Sequence, residues 1–241
     1  MSAFNFFPAG INKMHFTKSF SIFMLNIFTM KTTSLIAIPT YKYHEYLVVL
    51  APNQDVQQKI MKVKKEFSEE YKTTTAVYSK PYISIVNFVQ LELMEDRVLF
   101  QLKRIADGYS SFPVKLKGFG SFPTHSIFIN VESKKQVQNL RQQLKRLQHL
   151  MTLNKDNKPH FIDEPSVTVA MKLLPWQYEK GWLAYSKRTF TGFFIADQML
   201  LLRRSLEVQS EGRLVKGKYQ VVQPLKFLNM HSDSTQAQLF F

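Results

Sequence analysis

Cysteine is absent from the 241 residues, which excludes disulfides and thiolate metal sites. No Asn-x-Ser/Thr acceptor occurs either, so nothing calls for an oxidising compartment, and a cytoplasmic protein is the expectation. Acidic residues are scarce: 18 Asp and Glu stand against 32 Lys and Arg, a formal charge of +14. Residues 1–29 hold two of the lysines and residues 230–241 one aspartate, which leaves 30 basic and 17 acidic residues between them. The excess therefore belongs to the folded body, and a positive body favours polyanions such as RNA, DNA or phosphorylated ligands. Long apolar runs are missing too. Phe20–Met30 is too short to span a bilayer and no small-x-small cleavage pattern follows it. There is no Walker loop, Rossmann fingerprint or serine nucleophile elbow. The six histidines show no metal-ligand spacing, so neither a metal nor a cofactor is expected.

What is present is an ordinary globular composition, 45% hydrophobic and 21% charged, with a legible order of elements. YLVVLAP (46–52) reads as a buried strand. Val56, Ile60, Val63, Phe67 and Tyr71 then recur at helical spacing behind Asn53, a candidate N-cap. A strand is expected over Ala76–Phe88, and a helix marked by Met94, Val98, Leu102 and Ile105, stopped at Asp107-Gly108. Strands Phe112–Phe119 and Ser126–Val131 follow, with GFGSFP as turn chemistry between them. Val137, Leu140, Leu144 and Leu147 mark a third helix; a strand over Ser166–Leu173 and a helix over Trp176–Ser186 come next. Strands around Phe190–Ile195, Met199–Arg204 and Tyr219–Phe227 close the pattern. Residues 1–29 are expected as a disordered N-terminal extension, 30–229 as one bilobal domain and 230–241 as a loose tail.

Two hexapeptides say nearly the same thing 84 positions apart: PYISIV at 81–86 and PSVTVA at 165–170. Side chains alternate along a strand, so Tyr82 and Ser84 share one face, as do Ser166 and Thr168, while Ile83, Ile85, Val167 and Val169 take the other. Two lobes packed as a pseudo-twofold pair would bring the four polar residues to one cleft. The fold class expected is α+β: two similar α/β lobes, mainly antiparallel sheets, lining a central cleft.

The stretches KPYISIVNF and EPSVTVAMKL resemble the paired motifs of the 2H phosphoesterase superfamily, and within it the 2′-5′ RNA ligase and RNA 2′,3′-cyclic phosphodiesterase group. The resemblance covers about residues 45–228. It implies a His-x-Thr/Ser-x motif in each lobe, the two histidines acting as general acid and base on a cyclic phosphate and the two hydroxyls holding phosphate oxygens, with no metal. Ser84 and Thr168 match the hydroxyl positions. Tyr82 and Ser166 stand where the histidines belong, so both proton carriers are missing. A positioned acid or base contributes on the order of 10²–10⁴-fold. A tyrosine phenol, with a reference pKa of about 10, can at most donate near neutrality, and serine has no useful titration.

Two readings follow. In the first, the cleft binds an RNA end or phosphorylated nucleotide without turning it over, Ser84 and Thr168 holding phosphate and Lys80, Lys172 and Arg203 forming a basic rim. In the alternative, a working phosphodiesterase or ligase uses substitute residues such as Tyr82 or His125, which begins a cleft strand. His160 lies six residues before Ser166, roughly 20 Å along an extended chain; it is expected as a solvated loop residue, reaching the cleft only if the loop folds back. A monomer is expected, without a stable membrane span.

Overall fold

The structure, a computed structural model, describes residues 41–73, 79–208 and 214–230. The expected extension 1–29, the tail beyond Met230 and the first residues of the expected strand Ala76–Phe88 lie outside these. Among the described residues ten strands form one sheet, every pairing antiparallel. In chain order they are β1 Tyr43–Leu50, β2 Ile83–Leu91, β3 Phe112–Phe122, β4 Ser126–Val131, β5 His160–Phe161, β6 Ser166–Met171, β7 Thr191–Ala196, β8 Gln198–Val208, β9 Leu214–Lys216 and β10 Gln220–Lys226. The helices are α1 Gln54–Tyr71, α2 Glu95–Asp107 after a 3₁₀ turn at Glu92–Met94, α3 Lys134–Lys145, α4 Gln148–Met151 and α5 Pro175–Tyr185.

The sheet runs β10-β8-β1-β2-β6-β4-β3-β7, with β5 beside β2 and β9 beside β8. Its midline falls between β2 and β6, at the pair Ile83↔Val167. Those residues are the centres of the two hexapeptides, so the repeat's equivalent positions pair with each other across a pseudo-twofold axis. Each half of the sheet is a lobe. In the first lobe α2 packs on β8 and β10; in the second α1 packs on β6 and β7, and α5 on β4; α3 lies between, reaching β2 of the first and β3 of the second.

The helical face holds the core. Val56, Ile60, Val63, Phe67 and Tyr71 of α1 are buried there with Val98 and Leu102 of α2 and Leu140 and Leu144 of α3, against Val48, Ile83, Ile129 and Val167 of the sheet. Asn53 caps α1, its side-chain oxygen accepting from Val56 N–H at 3.1 Å. The bilobal α+β architecture is the expected one. One detail differs. Strand β3 continues through the GFGSF residues to Phe122, because Gly118 at φ 64 absorbs a bulge there and the turn falls at 123–125. Gly108 ends α2, as expected, at φ −87. Among the described residues no helix is long and apolar enough to cross a membrane.

Candidate functional site

The motif residues meet at the midline. With Ile83 facing Val167 in an antiparallel ladder, Tyr82 falls opposite Thr168 and Ser84 opposite Ser166. Facing Cα atoms in such a ladder are roughly 4.5–5.5 Å apart, and same-face neighbours along a strand about 6.7 Å. Ile83 and Val167 point into the core at 0% exposure, so the four polar side chains share the opposite face, between the lobes, each half-buried. The result is a two-by-two array of hydroxyls.

Each lobe extends that array. From the second come Phe128, opposite Thr168, and Asn130, opposite Ser166. Gly120 lies beside them because a side chain would not fit: a Cβ there would meet the Phe128 ring at 2.5 Å and Asn130 Oδ1 at 2.6 Å. From the first come Val49, Leu200 and Leu202, an apolar cluster against which the Tyr82 ring packs together with Leu47, Ala51 and Tyr219. Beyond Ser84 the ladder to β1 skips Ile85, so Asn87 is the next residue on the cleft face. Its amide donates to Glu45 Oε1 at 3.1 Å and to the Tyr219 hydroxyl at 3.2 Å. Glu45, 3% exposed, also accepts from the Arg204 guanidinium and faces Lys216 Nζ at 3.4 Å. Arg204 lies over the Tyr219 ring, 4.4 Å from its centroid. Burial, and then the Glu45 charge, push the Tyr219 phenol well above the usual range.

The rim residues are distributed unequally. Lys80 is exposed beside Tyr82, and both wall a cavity of about 670 Å³ between the lobes, along with Pro52, Gln57, Ile195 and Leu200. Ser84, Ser166 and Thr168 do not line that cavity. Lys172 follows β6 in a left-handed conformation, φ 55, at the end of the sheet. Arg203 does not belong to the rim. It pairs with Tyr46 on the core face, and its guanidinium donates to Glu95 Oε1 and Oε2 at 3.0 and 2.9 Å, anchoring the start of α2. The next residue, Arg204, is the one whose side chain faces the cleft.

The two histidines, His125 and His160, take different positions. His125 sits in the β3–β4 turn, where burial and then the Lys172 charge lower its pKa. Ser126, the next residue, alternates with core-facing Ile127 and so shares the face of Phe128, and the His125 backbone N–H donates to the Phe122 carbonyl at 3.0 Å. His160, by contrast, is drawn in. The loop before β6 folds back, and His160–Phe161 pairs with β2 so that His160 stands opposite Asn87 and Phe161 opposite Val86. Directly opposed residues share a face, so His160 lies on the cleft face, one step beyond the Ser84–Ser166 pair. Burial lowers its pKa, partly offset by Asp163, which favours a neutral imidazole near pH 7. Glu45, Arg204, Lys216 and Tyr219 carry no mark of a site residue in the sequence. Asn87 alone carried a signal, a polar residue within the apolar run ISIVNFV.

Among the described residues no three His, Asp or Glu side chains gather as a metal-holding group. The cleft face offers a ligand hydroxyl donors, an aromatic ring and the imidazole of His160. The family model of the 2'-5' RNA ligase superfamily matches residues 52–207. The chain is similar in fold to TT0787 of Thermus thermophilus, at 16% identity and TM-score 0.51, over 78% of this chain and 100% of that one. It is likewise similar to E. coli LigT complexed with 3'-AMP, at 10% identity and TM-score 0.53, over 77% of this chain and 98% of that one. No curated protein matches the chain.

Proposed function

The chain belongs to the 2'-5' RNA ligase superfamily, and from that premise we propose that its cleft binds a phosphate-ended RNA or nucleotide without the two-histidine turnover that the family resemblance implies. One observation carries this: Tyr82, Ser84, Ser166 and Thr168 face each other in a single array at the pseudo-twofold axis. The array keeps both phosphate-holding hydroxyls and has no imidazole at the two histidine positions. Hydroxyls donate to phosphate oxygens, Lys80 adds positive charge beside Tyr82, and the Tyr82 ring borders a cavity large enough for a base. LigT, similar in fold, is complexed with 3'-AMP, a ligand that carries a phosphate monoester.

His160 favours a second reading. Among the described residues it is the histidine paired onto the cleft face, opposite Asn87, and burial lowers its pKa, which favours the base form. One imidazole in this position gives a slow cyclic phosphodiesterase rather than an inert binder. A two-histidine site has a positioned acid and a positioned base, so loss of one leaves a deficit on the order of 10²–10⁴-fold.

The two readings separate in one assay, with an RNA oligonucleotide ending in a 2′,3′-cyclic phosphate. The first expects binding that weakens at least tenfold in Ser84→Ala/Thr168→Val, no turnover by the natural chain, and turnover in Tyr82→His/Ser166→His. Turnover by the natural chain, abolished in His160→Gln while binding persists, establishes the second. Binding indifferent to Ser84→Ala/Thr168→Val overturns both.

A further inference from the structure

On the helical face, opposite the cleft, α2 and α3 leave a groove of about 750 Å³ between them. Its charged lining is of one sign. Arg104 stands on the α2 wall and Arg146 just past the end of α3; both are exposed, and neither makes an ion pair with a described residue. Among the described residues no Asp or Glu lines the groove. Four side-chain amides complete the walls: Gln101 from α2, and Gln136, Asn139 and Gln143 from α3. The floor is mixed, with Ile105, Leu147 and the half-buried Tyr109. Tyr109 is fixed in place. Its ring meets Phe112 edge-on at 5.9 Å, and its hydroxyl donates to the Gln136 carbonyl at 3.4 Å, which ties one wall to the other.

We propose that this groove is a second ligand site, distinct from the cleft, and that it takes a nucleoside phosphate. Two guanidiniums without a carboxylate partner select an anion, and their planar forks match phosphate oxygens. Amides both donate and accept, as the edge of a nucleobase does. An aromatic beside an aliphatic floor supplies a surface for a ring. The volume lies in the small-molecule range of roughly 300–1,000 Å³. An acidic peptide would satisfy the arginines and the amides but brings no ring to the Tyr109 floor.

The test uses ATP as probe and the full chain, by isothermal titration calorimetry. Three proteins are compared: the natural chain, Ser84→Ala/Thr168→Val, and Arg104→Ala/Arg146→Ala, each checked for folding by its thermal transition. ATP binds the cleft variant as one site, weakens as salt is raised, and outcompetes adenosine by at least tenfold in affinity. In Arg104→Ala/Arg146→Ala that site loses at least tenfold. The proposal is overturned if the cleft variant binds no ATP, or if the arginine variant binds it as well as the natural chain does. It is equally overturned if a short polyglutamate displaces ATP from the cleft variant at comparable concentration, since the groove is then a surface for acidic chains. Failure here leaves the cleft reading untouched, because that reading is judged on cyclic-phosphate RNA and on Ser84 and Thr168.

Discussion

Glu45 is almost wholly buried, yet it faces two cations, Arg204 and Lys216, whose side chains keep 23% and 24% of their exposure. One carboxylate cannot neutralise both, so the cleft end of the sheet keeps a surplus positive charge beside Asn87. Removing the carboxylate alone leaves two part-buried cations uncompensated. Breaking a fully buried pair costs roughly 3–5 kcal/mol; here water still reaches both cations, so Glu45→Gln is expected to cost about 2 kcal/mol by urea denaturation. The same change should tighten binding of a phosphate-ended oligonucleotide, most at low salt, because the local charge rises by one. An unchanged affinity with an unchanged midpoint would show that Glu45 is outside the electrostatics of the site. Which arginine faces the cleft was not legible in the sequence. In an Arg-Arg pair a one-residue slip of register exchanges the two faces, and the pairing of Arg204 with Glu45 decides it. The cleft position of His160 was hidden for a related reason: no local pattern announces that a loop turns back to pair two residues with a strand more than seventy positions away.

Among the elements, α1 carries an anomaly on its inner face. Lys64 is fully buried, and its Nζ donates to the Ser79 carbonyl at 2.6 Å and hydroxyl at 2.7 Å, with no carboxylate partner among the described residues. Burial pulls its pKa down to about 8. Below pH 8 the ammonium is charged in both folded and unfolded chains, and the fold bears the desolvation cost. Between about pH 8 and the unfolded value near 10.4, the unfolded chain binds more protons, so stability rises with pH. Above about pH 10 the sign reverses. Tyr46, Tyr71 and Tyr219 have phenols raised by burial and neighbouring carboxylates, so the unfolded chain ionises first. Stability to urea should therefore climb by about 2 kcal/mol from pH 8 to pH 10 and then fall. Lys64→Met should remove the climb and keep the fall; a climb of equal size in the variant assigns it to other groups. The strands and helices themselves were largely legible. Ser126–Val131 emerged with both ends correct, and α1 with its cap, because alternation and helical spacing are local signals. The reach of β3 through GFGSF was hidden, since glycine reads as a turn unless a neighbouring ring needs its space, as Phe128 does.

The whole molecule is two lobes related by the repeat, and the 84-residue offset made that much visible. It did not reveal how the lobes are joined. Helix α1 follows β1 of the first lobe but packs on β6 and β7 of the second, while α3 follows β4 of the second and reaches both β3 of the second and β2 of the first. The two central strands are hydrogen-bonded at Ile83↔Val167, and Ile83 and Val167 are both fully buried in one core cluster. Each lobe buries part of its apolar face under a helix from the other's stretch of chain. A molecule of this kind unfolds as one unit although its shape suggests two. The ring signal of tyrosines shared by the cleft and core and the backbone signal of the helices should therefore lose their amplitude at the same urea concentration. Val167→Ala, which opens a cavity at the axis, should shift both transitions together by about 2 kcal/mol. If the two signals separate in that variant, the lobes are independent folding units, and the hydroxyl array at their junction is held by docking rather than by a common core.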